Sequence, residues 1–211
     1  SVLKKGMTIR ETLRTAFDDM FKLEQEMIAL YDKMGEASPD EVEKMMNETS
    51  EIQDILDHNS FYTIDAKIEE IANGLGLGSI GLDKDVTDLS GGQRTKVLLT
   101  KLLLQNPTIL ILDEPTNYLD IEHIEWLTNY LKNYENAFIL VSHDIPFLNS
   151  VINVIYHVEN ATLTRYTGDY EQFQAMYAMR KKQENAAFER QQQEIDRLED
   201  FIARNKARVA T

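Results

Sequence analysis

Three short segments of the chain carry side chains that could bind phosphate or metal ions. Residues 89–94 read LSGGQR, residues 109–120 read ILILDEPTNYLD, and residues 139–144 read ILVSHD. Apolar periodicity predicts a helix over residues 90–105, and Ser90 is placed to cap its start. Gly91 and Gly92 leave backbone N–H groups accessible at the positive end of this helix, where an anion binds favourably.

Polar side chains also follow two apolar runs. Residues 109–112 and residues 138–141 each predict a buried parallel strand, since each is a short, continuous apolar run. Asp113 and Glu114 follow the first run, and His143 follows the second. Open α/β sheets keep their ligands at the carboxyl ends of the strands, so we expect these side chains to meet at one edge.

Composition limits the classes of protein to consider. The chain has 211 residues, which indicates one or two domains, and no cysteine, which suits a reducing compartment. It shows no signal peptide and no apolar run near the ~18 residues of a spanning helix, so we expect a soluble cytoplasmic protein. The net charge of −14 argues against nonspecific binding of nucleic acid by the whole surface. That charge is uneven, with a net of −8 over residues 22–60 and +2 over residues 178–211.

Two long helices are predicted before the first motif. Thr8 and Glu11 have capping-box spacing and predict a helix over residues 8–35. Ser38 and Pro39 mark a second helix start. Apolar residues recur at alternating spacings of three and four along both helices, as in a coiled-coil seam. We interpret the pair as an antiparallel hairpin whose methionine-rich seam is its core rather than a cofactor or peptide groove.

The remaining elements follow from the same signals. A helix is predicted to end at Gly74 as its C-cap, and another is predicted over residues 121–134. Residues 76–81 fit GxGxxG but follow a helix instead of a strand, so we interpret them as a loop and not as a dinucleotide site. A hairpin is predicted with strands 154–158 and 163–166. From residue 170 the pattern is helical to the end, with one apolar seam along residues 188–209.

The order and spacing of the three motifs resemble the signature, the Walker B strand with its D-loop, and the His switch of an ABC-type ATPase. The hairpin before the signature and the long charged helix after the domain resemble the ABC-F group of soluble, ribosome-associated ATPases, in which the hairpin is called the arm. The resemblance therefore implies an α/β fold class: the C-terminal part of an ABC-type P-loop ATPase domain with an inserted arm and a long C-terminal helix. No GxxxxGK[ST] phosphate loop, or Walker A, occurs in the chain, so we expect a fragment that starts within the domain.

The resemblance implies a division of the chain and a role for each matching residue. Residues 1–7 would end a truncated lobe, 8–60 form the arm, 61–168 carry the three motifs, and 169–211 form the first helix of the interdomain linker. Asp113 would hold Mg²⁺ through water, Glu114 would polarise the attacking water, and His143 would contact the γ-phosphate of ATP. The remaining ATP-binding positions are Ser90, Gly91, Gly92, Gln93, Asn117 and Asp120.

The same resemblance implies partners. These are the second ATPase domain of a longer parent chain and the ribosome, with no membrane. Arg204, Lys206 and Arg208 would contact rRNA or tRNA at the linker tip, although they also suit the negative end of a helix dipole. Exposure of the 188–209 seam would favour self-association. The alternatives are the ATP-binding subunit of a membrane ABC transporter, an SMC-type chromosome ATPase, and a folded interaction module without catalytic activity.

Overall fold

The computed structural model describes residues 3–209, with side chains described up to residue 205. The chain divides into two compact units, Ser1–Asp144 and Ile145–Thr211. The elements of the first unit are α1 (Ile9–Arg14), α2 (Asp18–Met34), α3 (Pro39–His58), α4 (Ile64–Gly74), α5 (Gly91–Leu104), β1 (Ile109–Asp113), α6 (Ile121–Lys132) and β2 (Ala137–Val141). Those of the second unit are α7 (Ile145–Val151), β3 (Val154–Glu159), β4 (Thr162–Thr167) and α8 (Tyr170–Val209).

A helical core organises the first unit. Helices α1, α4 and α5 pack against one another. Their fully buried side chains include Ile9, Leu13, Ile68 and Leu103. The start of α1 is also tied to the loop before α5, because the Ile9 and Arg10 N–H groups donate to the carbonyls of Lys84 and Leu82, each at 2.9 Å. This core fixes the position of α5, which carries the signature.

The arm is a hairpin, as predicted, but its first helix is not continuous. A 3₁₀ turn over Thr15–Phe17 separates α1 from α2, so the single helix predicted for residues 8–35 is wrong. Tertiary contacts explain the break. Arg14 binds Asp65 of α4 at 2.7 Å, and the Phe17 side chain is buried while its backbone leaves the helical region. These contacts hold α1 on the core and let α2 start in a new direction.

Helices α2 and α3 pack along each other through the predicted seam. Met27, Thr49, Ile52 and Leu56 are buried, and the other seam positions are half-buried. Ser38 and Glu41 form the predicted capping box, with Pro39 in the first turn of α3. The interpretation of the methionine-rich seam as hairpin core is confirmed.

The end of α4 differs from the prediction. Gly74 is the last residue of the helix, Leu75 is its C-cap, and the left-handed residue that follows is Gly76, with φ +79°. Gly76 and Leu77 donate to the carbonyls of Asn73 and Ala72 at 3.0 and 2.8 Å, which is a Schellman motif. A helix precedes the glycine-rich segment and the 3₁₀ turn Val86–Asp88 follows it, so its interpretation as a loop is confirmed.

The first unit contains one small parallel sheet in the part of the chain that the structure describes. Strand β1 pairs with β2 in parallel, from Ile109 opposite Ala137 to Asp113 opposite Val141. The parallel pairing is as predicted, but burial is one-sided. Leu110 and Leu112 are buried, whereas Ile111 of β1 and Ile139 of β2 are 65% and 56% exposed. The prediction of fully buried strands is therefore wrong for one face of the sheet, where these two isoleucine side chains are exposed.

In the second unit, β3 and β4 form the predicted antiparallel hairpin. Asn160 and Ala161 at its turn both have positive φ, as a tight hairpin turn requires. The first turns of α8 pack on this hairpin, where Tyr166 and Phe173 are buried with their rings 5.0 Å apart. Farther along α8 the predicted apolar seam is exposed, with Phe188 at 67%.

Candidate functional site

Two predicted catalytic side chains meet at the carboxyl ends of β1 and β2. Glu114 follows Asp113, the last residue of β1, and His143 lies two residues beyond Val141, the last residue of β2. Parallel pairing of the two strands brings both loops to the same edge. The His143 Nδ1 atom lies 2.8 Å from Glu114 Oε2, and the His143 backbone N–H donates to the same oxygen at 3.4 Å.

The backbone of Glu114 is in the left-handed region. Its φ is +47°, which is unfavourable for a side chain with a Cβ. The Glu114 N–H donates to the carbonyl of Val141 at 2.8 Å, so the pairing of the strands continues one residue beyond β1. This contact holds the unusual conformation and directs the carboxylate toward His143. A strained backbone of this kind is a common feature of functional sites.

Electrostatics reinforce the pair. The hydrogen bond from His143 holds the pKa of Glu114 below its ordinary value, and the same bond raises the pKa of His143. A window of pH therefore exists in which carboxylate and imidazolium are both charged. The Glu114 side chain is 28% exposed and that of His143 is 78% exposed, so a ligand arriving from solvent reaches the imidazole.

Asp113, the predicted Mg²⁺ ligand, ends β1 with an exposed side chain. Among the described residues no group of three or more His, Cys, Asp or Glu side chains could hold a metal ion by itself. Mg²⁺ commonly takes one or two carboxylates and completes its shell with water and phosphate oxygens. A lone exposed carboxylate next to Glu114 fits that way of binding and does not fit an all-protein site.

The signature residues form the start of α5. Ser90 Oγ accepts from the Gln93 N–H at 3.3 Å, and Gln93 Oε1 accepts from the Ser90 N–H at 3.0 Å. This capping box confirms the predicted cap. The space around Gly91 is open, since an added Cβ would meet nothing within 4 Å. A Cβ on Gly92 would lie 3.0 Å from Cδ1 of Tyr118, so the D-loop tyrosine packs against the signature.

The predicted D-loop, residues 117–120, is a compact pair of turns. The Asn117 N–H donates to the Glu114 carbonyl at 3.3 Å, and the Leu119 N–H donates to the Thr116 carbonyl at 3.0 Å. Asn117 is exposed, and Asp120 is the N-cap residue of α6. The D-loop therefore connects the Glu114 turn to the first residue of α6.

Two residues at this site were not predicted from the sequence. Tyr118 contacts Gly92, and His123 Nε2 lies 3.2 Å from Asp120 Oδ1. The contact of Tyr118 left no local signal, because 26 positions separate it from Gly92. The spacing Asp120-x-x-His123 is that of a capping box, although here the two side chains approach each other and Asp120 makes no side-chain cap bond.

The predicted RNA-binding residues lie at the end of α8. Arg204 is exposed and lies 3.8 Å from Asp200, one turn earlier in the helix. The backbone of Lys206 and Arg208 belongs to α8, but their side chains lie outside the described residues. Their role at the linker tip stays a prediction.

Comparison with known proteins supports the motif assignment. Two family models, both described as ABC transporter, match residues 2–117 and 156–211. The uncharacterized ABC transporter ATP-binding protein YfmM of Bacillus subtilis is 65% identical over all of this chain, which covers 41% of that protein. ABC transporter F family member 5 of Arabidopsis thaliana is 34% identical over 97% of this chain and 30% of its own length. The chain thus spans less than half of the curated relatives it matches.

A solved structure supports the fold. The ATP-binding subunit of an ABC transporter superposes with a TM-score of 0.55, covering 84% of this chain and 59% of that one at 15% identity. Over residues 3–209, no helix combines the length and apolar character needed to cross a membrane. The family matches, the F-group relative and the three motifs in their order lead to one assignment. The chain belongs to the ABC transporter ATP-binding family and, within it, to the ABC-F group.

Proposed function

We propose that this chain is the C-terminal part of the first ATP-binding domain of a longer cytoplasmic ABC-F protein that hydrolyses ATP and acts on the ribosome. The observation that carries the ATPase proposal is the Glu114–His143 contact of 2.8 Å at the carboxyl ends of two parallel strands. At this position the carboxylate can polarise a water molecule, and the imidazole beside it can donate a hydrogen bond to a phosphate oxygen.

Each residue then has a step to perform. Glu114, kept ionised by its lowered pKa, accepts a hydrogen bond from the attacking water and draws charge toward the nucleophile. His143, whose imidazole is largely exposed, donates to the oxygens of the transferred phosphoryl group. Asp113 would hold Mg²⁺ through water, and such an ion would supply positive charge to the phosphate oxygens. Catalysis of this kind is mostly positioning and electrostatics.

The signature implies a second nucleotide-binding domain. Ser90, Gly91 and Gly92 present a helix start with open space around Gly91, which suits contact with an anion. The chain has no Walker A motif of its own. We therefore propose that these residues contact ATP held by the Walker A loop of the second ATPase domain, and that Asn117 and Asp120 of the D-loop lie at the same interface.

Charge and shape support the ribosomal part of the proposal. Residues 204–211 contain three basic residues and no acidic one, in a chain of net charge −14. The backbone of these three basic residues belongs to the end of a helix of 40 residues, Tyr170–Val209, which would reach about 60 Å from its start. Three phosphate contacts give a salt slope of only about −2 to −3 in log K, so binding by this tip alone is weak and salt-sensitive. The acidic arm would instead contact protein or another basic surface.

The test is ribosome pelleting with the full-length protein, trapped in its ATP state by Glu114→Gln. Changing Arg204, Lys206 and Arg208 to alanine is expected to weaken binding and to reduce the salt slope by about 2 to 3. The matched control changes Lys182, Arg190 and Arg197, three exposed cations of the same helix. Equal binding by both triple variants and the parent would exclude the tip as an RNA contact, and no pelleting at all would overturn the ribosomal function.

A further inference from the structure

The N-cap residue of α6 makes an unusual contact. Asp120 occupies the N-cap position with extended backbone, yet its side chain makes no capping hydrogen bond to the helix backbone. Its Oδ1 instead lies 3.2 Å from Nε2 of His123 at position N3. An aspartate at this position usually accepts from the exposed N–H groups of the first turn. Here the carboxylate faces the His123 side chain instead of the helix backbone. The orientation of Asp120 therefore depends on the position of the imidazole.

The imidazole is held by a glycine from another part of the fold. A Cβ on Gly76 would lie 2.3 Å from His123 Nε2 and 2.7 Å from its Cδ2, so the ring packs directly on the Gly76 backbone. The side chain of His123 is 17% exposed, whereas that of Asp120 is 70% exposed. His123 is therefore the fixed member of the pair and Asp120 the presented one. A larger residue at position 76 would occupy the space of the ring.

The other side of the same loop is also held. Tyr118 packs on Gly92 in the first turn of α5, where a Cβ would approach its ring to 3.0 Å. The D-loop thus lies between two contacts, one to the signature and one through His123 to the loop after α4. A carboxylate presented by a loop can face a reacting group correctly only if the loop has one orientation.

We propose that His123 is a positioning residue for ATP hydrolysis, which orients Asp120 and with it the D-loop toward the active-site interface. This inference rests on the proposed ATPase function. His123 touches neither nucleotide nor reacting atoms in this account and acts only through Asp120. Removing the imidazole that faces Asp120 is therefore expected to lower the turnover number kcat while leaving the affinity for ATP nearly unchanged.

The experiment measures steady-state ATP hydrolysis by the full-length protein and its His123→Leu and His123→Gln variants. His123→Leu removes the polar nitrogen that lies 3.2 Å from Asp120, and its kcat is expected to fall about tenfold with KM for ATP changed less than about twofold. His123→Gln keeps a polar amide group near the position of Nε2 and is expected to retain at least about half of kcat. A purely structural role for the ring would not predict rescue by glutamine.

Two glycine variants provide an independent arm with a matched control. Gly76 and Gly81 have similar positive φ values of +79° and +89°, so alanine strains the backbone equally at both. Only at Gly76 does the new Cβ meet the imidazole, since nothing lies within 4 Å of a Cβ at Gly81. Gly76→Ala is expected to reproduce the loss of kcat seen in His123→Leu, and Gly81→Ala is expected to retain the parent value.

The outcomes separate the two proposals. If the parent hydrolyses ATP and His123→Leu has the same kcat, the positioning role is wrong and the ATPase proposal stands. The positioning role is equally overturned if glutamine fails to rescue, or if both glycine variants lose the same activity. If the full-length parent shows no hydrolysis, the proposed function fails and the role of His123 fails with it.

Discussion

Gly74 offers a sharp test of the packing that positions the D-loop helix. A Cβ at this position would lie 2.1 Å from Cε2 and 2.3 Å from Cδ2 of Trp126 in α6. The indole cannot move freely, because it stacks on Tyr130 with ring centroids 5.3 Å apart. Tyr130 is held in turn by a hydrogen bond to the carbonyl of Leu103, at 3.1 Å, near the end of α5. The substitution Gly74→Ala must therefore displace the contact between α4 and α6.

The magnitude follows from two opposing effects. Overpacking of this kind costs about 1–3 kcal/mol. Replacing glycine by alanine inside a helix gains about 0.5–1 kcal/mol. Taken at mid-range, these values give a net loss of about 1 kcal/mol in the free energy of unfolding. Gly35→Ala is the matched control, since Gly35 has a φ of −64° and its Cβ would meet nothing closer than 3.9 Å. That variant is expected to be neutral or stabilised by up to about 1 kcal/mol.

Urea unfolding followed by tryptophan fluorescence measures this effect directly. Trp126 is the only tryptophan of the chain, so the signal reports on the affected contact and on the unit that contains it. With a slope of about 2 kcal/mol per molar urea, the Gly74→Ala midpoint should fall by roughly 0.5 M. The native emission of Trp126 should also change, because the ring must leave its place. Equal midpoints for Gly74→Ala and Gly35→Ala, with unchanged emission, would refute the packing argument.

Three further predictions follow from the site, the long helix and the sequence. The raised pKa of His143 and the lowered pKa of Glu114 imply that their ion pair stabilises the fold between these two values. This stability is lost as pH falls through the pKa of Glu114 or rises through that of His143. An NMR titration should therefore show a lower His143 pKa in the Glu114→Gln variant. An unchanged His143 pKa would exclude the ion pair. The exposed seam of α8 should drive self-association of the 211-residue chain, and Leu198→Glu should abolish it, since burying a large side chain contributes about 1.5–3 kcal/mol. Sedimentation of the unsubstituted 211-residue chain as a monomer would count against this. The 211-residue chain alone should release no phosphate from ATP, because it contains no Walker A motif, and steady hydrolysis would contradict that expectation.

Local sequence signals predicted much of the architecture and failed where distant residues decide. The capping box of Ser90 and the hairpin of β3 and β4 were predictable, because each depends on neighbouring residues. The parallel pairing of β1 and β2 was predictable for a different reason, since two short apolar runs separated by a helix are typical of parallel strands. The break between α1 and α2 was not, since Arg14 reaches Asp65 across 51 positions. Gly74 was predicted to be a cap, but its role is to make room for Trp126.

The candidate site follows the same division. Motif order indicated Glu114 and His143, and the sheet brings them within 2.8 Å. The left-handed backbone of Glu114 and the contact of Tyr118 with Gly92 depend on the assembled fold and had no local signature. The exposed face of β1 was also not predicted. An apolar run indicates that a strand can be buried, but it does not show which elements pack on each of its faces.

ATP turnover by the full-length protein and its Glu114→Gln variant tests the central claim most directly. The substitution keeps the size of the side chain and leaves Asp113, but it removes the carboxylate that polarises water. Equilibrium binding of ATP should persist in the variant, while phosphate release should fall by about a hundredfold or more. Turnover near that of the parent, or loss of ATP binding together with turnover, would contradict the assignment of Glu114.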